Sequence, residues 1–174
     1  MKTNYSILCL VLLFVACQPK PDTTADDLFK KNSETVLANI KGWQEENLDY
    51  SMYAKNFVFR ETAFSAERDS SNLEQMMADD KMLWKNYDFK ILNDPVLLPG
   101  VNSDTKLPDG SVRHYSVWEI TLPATDSTKS KSGRLKMYES FDFDEEGKIL
   151  YQQVYGDFTG LIMYLHSSEE TMTE

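Results

Sequence analysis

The chain has 174 residues, 41% of them hydrophobic and 12% aromatic, which suits one domain with a real core and excludes wholesale disorder. Its 18 Lys and Arg stand against 28 Asp and Glu, a formal charge of −10 that favours solubility. The densest basic run, Lys129, Lys131, Arg134 and Lys136, is diluted by serines and a glycine and lacks the concentrated charge of a phosphate-tracking groove, so no nucleic acid is expected as a partner.

Lys2 supplies a short positive region, and Ile7 to Ala16 carries no charge. That stretch is too short to cross about 30 Å of hydrocarbon as a helix but has the length of a signal-peptide core. The run Leu13-Phe14-Val15-Ala16-Cys17 resembles the lipobox of bacterial lipoproteins, with small Ala16 before the cysteine and Phe14 where leucine is favoured. The resemblance implies that residues 1–16 are removed, Cys9 with them, and that Cys17 becomes the acylated first residue. The alternative is an ordinary signal peptide with a coincidental cysteine. On the lipobox reading the mature chain holds one thiol, taken by lipid, so no intramolecular disulfide forms. Several acyl chains then anchor the protein in the bacterial cell envelope, with the outer membrane as the expected destination. Residues 17–25, with Pro19 and Pro21 among polar neighbours, read as a tether. The folded domain is expected over 26–166, and the acidic end, 167–174, as a fraying tail.

The domain opens with Phe29, Val36, Ile40 and Trp43, spaced as one face of an amphipathic helix over about 26–47. Asp26 and Asp27 supply cap and dipole complement, and Gly42 weakens the last turns. Asp49 to Phe57 allows a helical turn or two, and Phe57-Val58-Phe59-Arg60-Glu61-Thr62 has strand character. Ser71-Asn72-Leu73-Glu74 has the form of a capping box opening a helix through Met76, Met77, Leu83 and Trp84 to about Lys85.

From Tyr87 the period becomes two. The strand Tyr87–Leu92 ends at Asn93-Asp94-Pro95, where proline is expected to stop ladder pairing. Pro108-Asp109-Gly110 signals a tight turn into a strand over 112–122. A polar loop leads to a strand over 134–143, and Asp144 to Gly147 turns the chain into the last strand, from Lys148. Val112, Ser116, Trp118 and Ile120 point one way, Tyr115 and Val117 the other. A sheet semi-apolar on both faces needs helices on one side and a further cover, such as a second copy, on the other.

This order of elements, with YAKNFVFRET, SNLEQMMADDKMLW, HYSVWEITL and EEGKILYQQVYGDFTGLIMYL, resembles the nuclear transport factor 2-like superfamily in its SnoaL-like branch, over about 30–165. The resemblance implies an α+β fold in which a curved antiparallel sheet wraps around N-terminal helices as a cone-shaped barrel with an apolar pocket. It also implies a homodimer through the convex face of the sheet. The superfamily includes isomerases, cyclases, dehydratases, epoxide hydrolases and pockets without known chemistry, so the fold alone does not give a reaction.

The residues narrow the chemistry. The mature chain has two histidines, His114 and His166, and neither H-x-x-x-H nor C-x-x-C, so no metal site is expected. The G-x-S-x-G elbow, the G-x-G-x-x-G fingerprint and the phosphate loop are missing, and no cofactor is expected. The DFDEEG run lacks the spaced oxygens of a calcium loop and reads as a hairpin tip. What remains is acid–base work by a carboxylate whose pKa burial raises. Asp157, at the end of the last strand, is the first catalytic candidate and His114 the second. Tyr53, Phe57, Trp84, Trp118, Tyr138 and Tyr155 are the candidate pocket wall. Each has a plainer reading: Asp157 as cap of a C-terminal helical turn, His114 as a satisfied strand residue, Trp84 as core. Two functions follow: a lipid-anchored module binding a small apolar or amphipathic molecule, which these residues favour, or an isomerase, cyclase or dehydratase using Asp157 or His114.

Overall fold

The computed structural model describes residues 24–168, so the expected signal peptide, Cys17 and most of the expected tether and tail lie outside the described residues. Helix α1 (Thr24–Gln44) carries Asp26 and Asp27 in its first turn and Lys41 in its last, each sign matching the helix dipole. Its buried face is Asn32, Val36, Asn39 and Ile40. The helix stops short of Asn47 because Glu46 takes a positive φ of 55° and the Asn47 N–H turns back to the Gly42 carbonyl at 2.9 Å. A single 3₁₀ turn, Tyr50–Met52, leads into β1 (Tyr53–Arg60).

A loop and the two-residue β2 (Ser70–Ser71) precede α2 (Leu73–Asn86). The capping box is present one residue later than the sequence suggests: Asn72 caps, and Gln75 returns the bond to the Asn72 N–H. Ser71 cannot serve, because it pairs with β1 and its hydroxyl is held by Glu61 and Arg68.

β3 (Asp88–Ile91), β4 (Val96–Val101), β5 (Pro108–Leu122), β6 (Lys131–Phe143) and β7 (Ile149–Tyr155) follow, then α3 (Phe158–His166). Seven strands form one sheet in the order β2-β1-β7-β6-β5-β3, with β4 also paired to β5. Two features depart from the expected fold. The sheet is mixed: β1 runs parallel to β7, placing Val58 beside Tyr151 and Phe59 beside Gln152, while the other pairings are antiparallel. It is also open, a curved wall rather than a closed barrel, because β2 at one end meets neither β3 nor β4 at the other.

The break at Asn93-Asp94-Pro95 is shorter than expected. Asn93 keeps pairing alive by accepting the Val117 N–H at 2.7 Å, and β4 takes up the same edge of β5. Gly110 lies within β5 with φ +81°, and a Cβ there would come within 2.6 Å of Leu28 Cβ. That close approach lets α1 lie on the sheet, and Asn32 Nδ2 donates to the Gly110 carbonyl at 2.9 Å. The concave face carries Val112, Trp118 and Ile120 of β5 and Leu135 and Phe141 of β6, packed with Val36 and Ile40 of α1.

Candidate functional site

The concave face, α1, α2 and the start of the loop after β1 enclose a cavity of about 300 Å³, with Phe158, Leu161 and Ile162 closing one side. Apolar area dominates its wall: Trp43 meets Trp118 edge-on at 5.7 Å and Phe89 at 4.4 Å. Small-molecule sites have this character, a dry aromatic body with few polar groups.

Asp80 of α2 is one of those groups. It is 6% exposed, Trp43 Nε1 donates to its Oδ1 at 3.1 Å, and the Tyr50 hydroxyl donates to its Oδ2 at 2.9 Å. Among the described residues no cation pairs with it. Burial pushes its carboxyl above the ordinary value; the bonds from Trp43 and Tyr50 oppose that rise, and neighbouring Asp79 adds to it.

Tyr53, from the start of β1, presents its hydroxyl to the same space. It accepts from Asn39 Nδ2 at 2.6 Å and donates to Gln152 Oε1 at 3.3 Å. Burial raises its pKa far above the ordinary phenol, the Asn39 bond works against this, and Asp80 and Glu139 reinforce it. The hydroxyl therefore stays protonated and remains a donor. The long bond to Gln152 is one that a better acceptor on a bound molecule would replace.

Glu139 of β6 is the second cavity carboxylate, 9% exposed, with Oε2 at 2.8 Å from Nδ1 of His114 on β5. With Glu139 ionised, Nδ1 is the donor. His114 has no exposed surface and does not line the cavity; as the cross-strand partner of Glu139 it holds that carboxylate from the side. At the rim, Arg68 bonds Glu61 at 3.3 Å, Ser71 at 2.8 Å and Asp79, fastening the loop to α2.

No protein-family model and no curated protein matches the chain. Solved structures do. A candidate polyketide cyclase from Xanthomonas campestris superposes with a TM-score of 0.63 at 14% identity, over 79% of this chain and 98% of that one. A nuclear transport factor 2-like protein from Burkholderia xenovorans gives 0.59 at 8% identity, over 79% and 97%. The fold is nuclear transport factor 2-like. A more distant chemistry shares it: the BvnE pinacolase from Penicillium brevicompactum matches with a TM-score of 0.56 at 12% identity, over 80% of this chain and 92% of that one.

Within the nuclear transport factor 2-like fold the expected site residues scatter. Tyr53 and Trp118 line the cavity. Phe57 is buried beneath Tyr53, edge-on at 4.7 Å, and Trp84 stands behind Trp43 at 5.9 Å. Tyr138 and Tyr155 are placed on the opposite face, because strand alternation turns them outward where Glu139 and Val154 turn in. There the Tyr138 ring lies between the other two, its centroid 5.0 Å from that of Tyr115 and 6.2 Å from that of Tyr155. Asp157 lies outside the cavity and exposed. It is the N-cap of α3, its Oδ1 accepting from the Gly160 N–H at 2.9 Å, and it borders a separate, more open hollow with Arg134, Leu161 and Tyr164.

The residues that do meet in the cavity, Asp80, Asn39, Glu139 and Gln152, were not singled out from sequence. One signal was available: Asn39 sits beside Ile40 on the apolar stripe of α1, where a polar side chain needs a buried partner.

Proposed function

We propose that the cavity is the active site of an acid–base enzyme of the isomerase, cyclase or dehydratase kind, acting on a small, largely apolar molecule. Asp80 takes and returns the proton, and Tyr53 donates to the oxygen on which negative charge develops. The observation that carries this is Asp80 itself: a carboxylate desolvated in an aromatic cavity, without a cation, and oriented on both oxygens by Trp43 and Tyr50. A pocket that merely stored an apolar molecule would gain nothing from a desolvated charge, whereas a base is strengthened by it. The cyclase and pinacolase among proteins of this fold are consistent with such chemistry.

In the proposed step, Asp80 accepts a C–H or O–H proton from the substrate, and the electron pair moves onto an oxygen facing Tyr53. The hydroxyl stabilises that oxyanion in a water-poor site, and Asp80 then delivers the proton to a neighbouring atom.

The test is exchange of α-protons of small alicyclic and aryl ketones in D₂O, followed by proton NMR. Wild-type protein should accelerate exchange of at least one such ketone, and Asp80→Asn should lose about 10²-fold or more. Exchange that survives Asp80→Asn, or none across the panel, overturns the reading.

Two further parts of this proposal rest on other observations. The lipobox-like run ending in Cys17 supports an enzyme tethered by lipid to the bacterial cell envelope. The stacked Tyr115, Tyr138 and Tyr155 support a second copy packed on the convex face.

A further inference from the structure

We infer that the cavity selects an organic cation: a compact apolar body bearing a protonated amine, with Glu139 as its counter-ion. This rests on the same cavity as the proposed function and names the class of molecule that enters it.

Charge sign points that way first. The charged side chains lining the cavity are Glu61, Asp79, Asp80 and Glu139, all acidic. Arg68 compensates Glu61 and Asp79 at the rim. Asp80 has only neutral donors, and Glu139 has a single imidazole. An anionic ligand would meet two carboxylates in a medium of low dielectric, and a neutral one would leave them uncompensated.

Glu139 then supplies the receptor. It is nine-tenths buried, it lines the cavity, and only its Oε2 is engaged. Oε1 takes no hydrogen bond from any described residue. That oxygen is not sealed off, and a bound molecule can bring it the donor that the protein does not supply. His114, fully buried and directly across the strand pair from Glu139, reaches that carboxylate only through Nδ1 on Oε2, and its own Nε2 has no partner among the described residues. An ammonium group brings N–H donors and charge together. Aromatic faces complete the fit: Trp43, Tyr53 and Trp118 line the same space, and their quadrupoles attract a cation where it has lost water. Asp80 stays free for proton transfer, and its charge adds to the field in which Tyr53 already sits.

The probes are 1-adamantylamine, 1-adamantanol and adamantane-1-carboxylate, one apolar body with a cationic, neutral or anionic head. Trp43 and Trp118 report binding by their fluorescence. Near neutral pH the amine should bind about tenfold or more tighter than the alcohol, and the carboxylate should bind weakest. Glu139→Gln should bring the amine to within about twofold of the alcohol while leaving the alcohol's affinity in place. Equal affinity of amine and alcohol in the wild type, or an amine preference that survives Glu139→Gln, overturns the inference. The ketone exchange test uses neutral substrates, so cation selectivity and Asp80 chemistry fail separately.

Discussion

Trp43 Nε1 donates to Asp80 Oδ1 at 3.1 Å, joining the last turn of α1 to the middle of α2 across the cavity wall. With the Tyr50 hydroxyl on Oδ2 at 2.9 Å, each oxygen of the carboxylate is aimed by a donor that carries no charge. The arrangement orients Asp80 without neutralising it. A lysine or arginine in place of either donor would have fixed the carboxylate as a permanent anion of ordinary or lowered pKa.

The raised pKa of Asp80 has a signed consequence for stability. Between the unfolded value of 3.8 and the higher folded value, the folded state binds more protons than the unfolded chain. Stability contributed by protonated Asp80 is therefore present at low pH and lost as pH rises through that window, from about pH 4 upward. Urea midpoints measured across this range should fall with pH more steeply in the wild type than in Asp80→Asn, against the common background of other carboxylates. Parallel profiles would show that Asp80 titrates normally.

His114 and Glu139 should behave as a unit. His114→Phe leaves Glu139 buried without its donor and should cost about 1–3 kcal/mol. The double variant His114→Phe, Glu139→Leu removes both polar groups and should recover much of that loss. Thermal or urea denaturation of the wild type, His114→Phe, Glu139→Leu and the double variant completes the cycle, and additive losses would mean that the bond at 2.8 Å contributes nothing.

Asp157 should act as a cap and nothing more. Asp157→Ala should cost about 1 kcal/mol, and Asp157→Asn only a few tenths, because the amide oxygen caps nearly as well. Adamantanol binding should be unchanged in both. A loss of binding in Asp157→Asn would return this residue to the site.

Cys17 should determine where the protein is found. Wild-type protein expressed in a bacterium should fractionate with membranes and carry the added mass of acyl chains. Cys17→Ala should be released or left unprocessed. Soluble wild-type protein of unmodified mass would refute the anchor.

The convex face should mediate self-association. Light scattering of the domain should give the mass of two copies, and Tyr138→Lys, which places charge in the middle of the tyrosine stack, should give one. The variant should keep its cavity and bind adamantanol as before. A wild type that is monomeric at working concentrations would leave this face without a partner.

The elements were legible where a single period governs. The capped helix α2 and the inward set Val112, Trp118 and Ile120 on β5 follow from spacing alone. Less readable was anything set by pairing at a distance. Nothing local announces that β1 lies parallel to β7, or that β3 and β4 divide one edge of β5. Tyr138 and Tyr155 resembled pocket residues because both faces of their strands are apolar, so parity alone did not say which side is hollow. Asp80 was harder still. In a helix bearing Asp79, Asp80 and Lys81 in succession, one buried acid looks like part of a solvated face. Only the packing of α2 against the cavity, with Trp43 and Tyr50 arriving from elsewhere in the chain, separates it from its neighbours.

The parallel pairing of β1 with β7 also sets when this molecule can exist. β7 is the last strand made, yet it lies between β1 and β6 and supplies Gln152 and Val154 to the cavity wall. Tyr53 finds Gln152 across 99 positions, and Thr62 finds Val154 across 92. An early strand must wait, with its ladder unfilled, until nearly the whole chain is available, and long loops of this kind slow closure. A nascent or threading chain thus has no native form to settle into prematurely. A product truncated before Ile149 would lack both the partner of β1 and one wall of the cavity, and would expose an open sheet edge ready to pair with other chains.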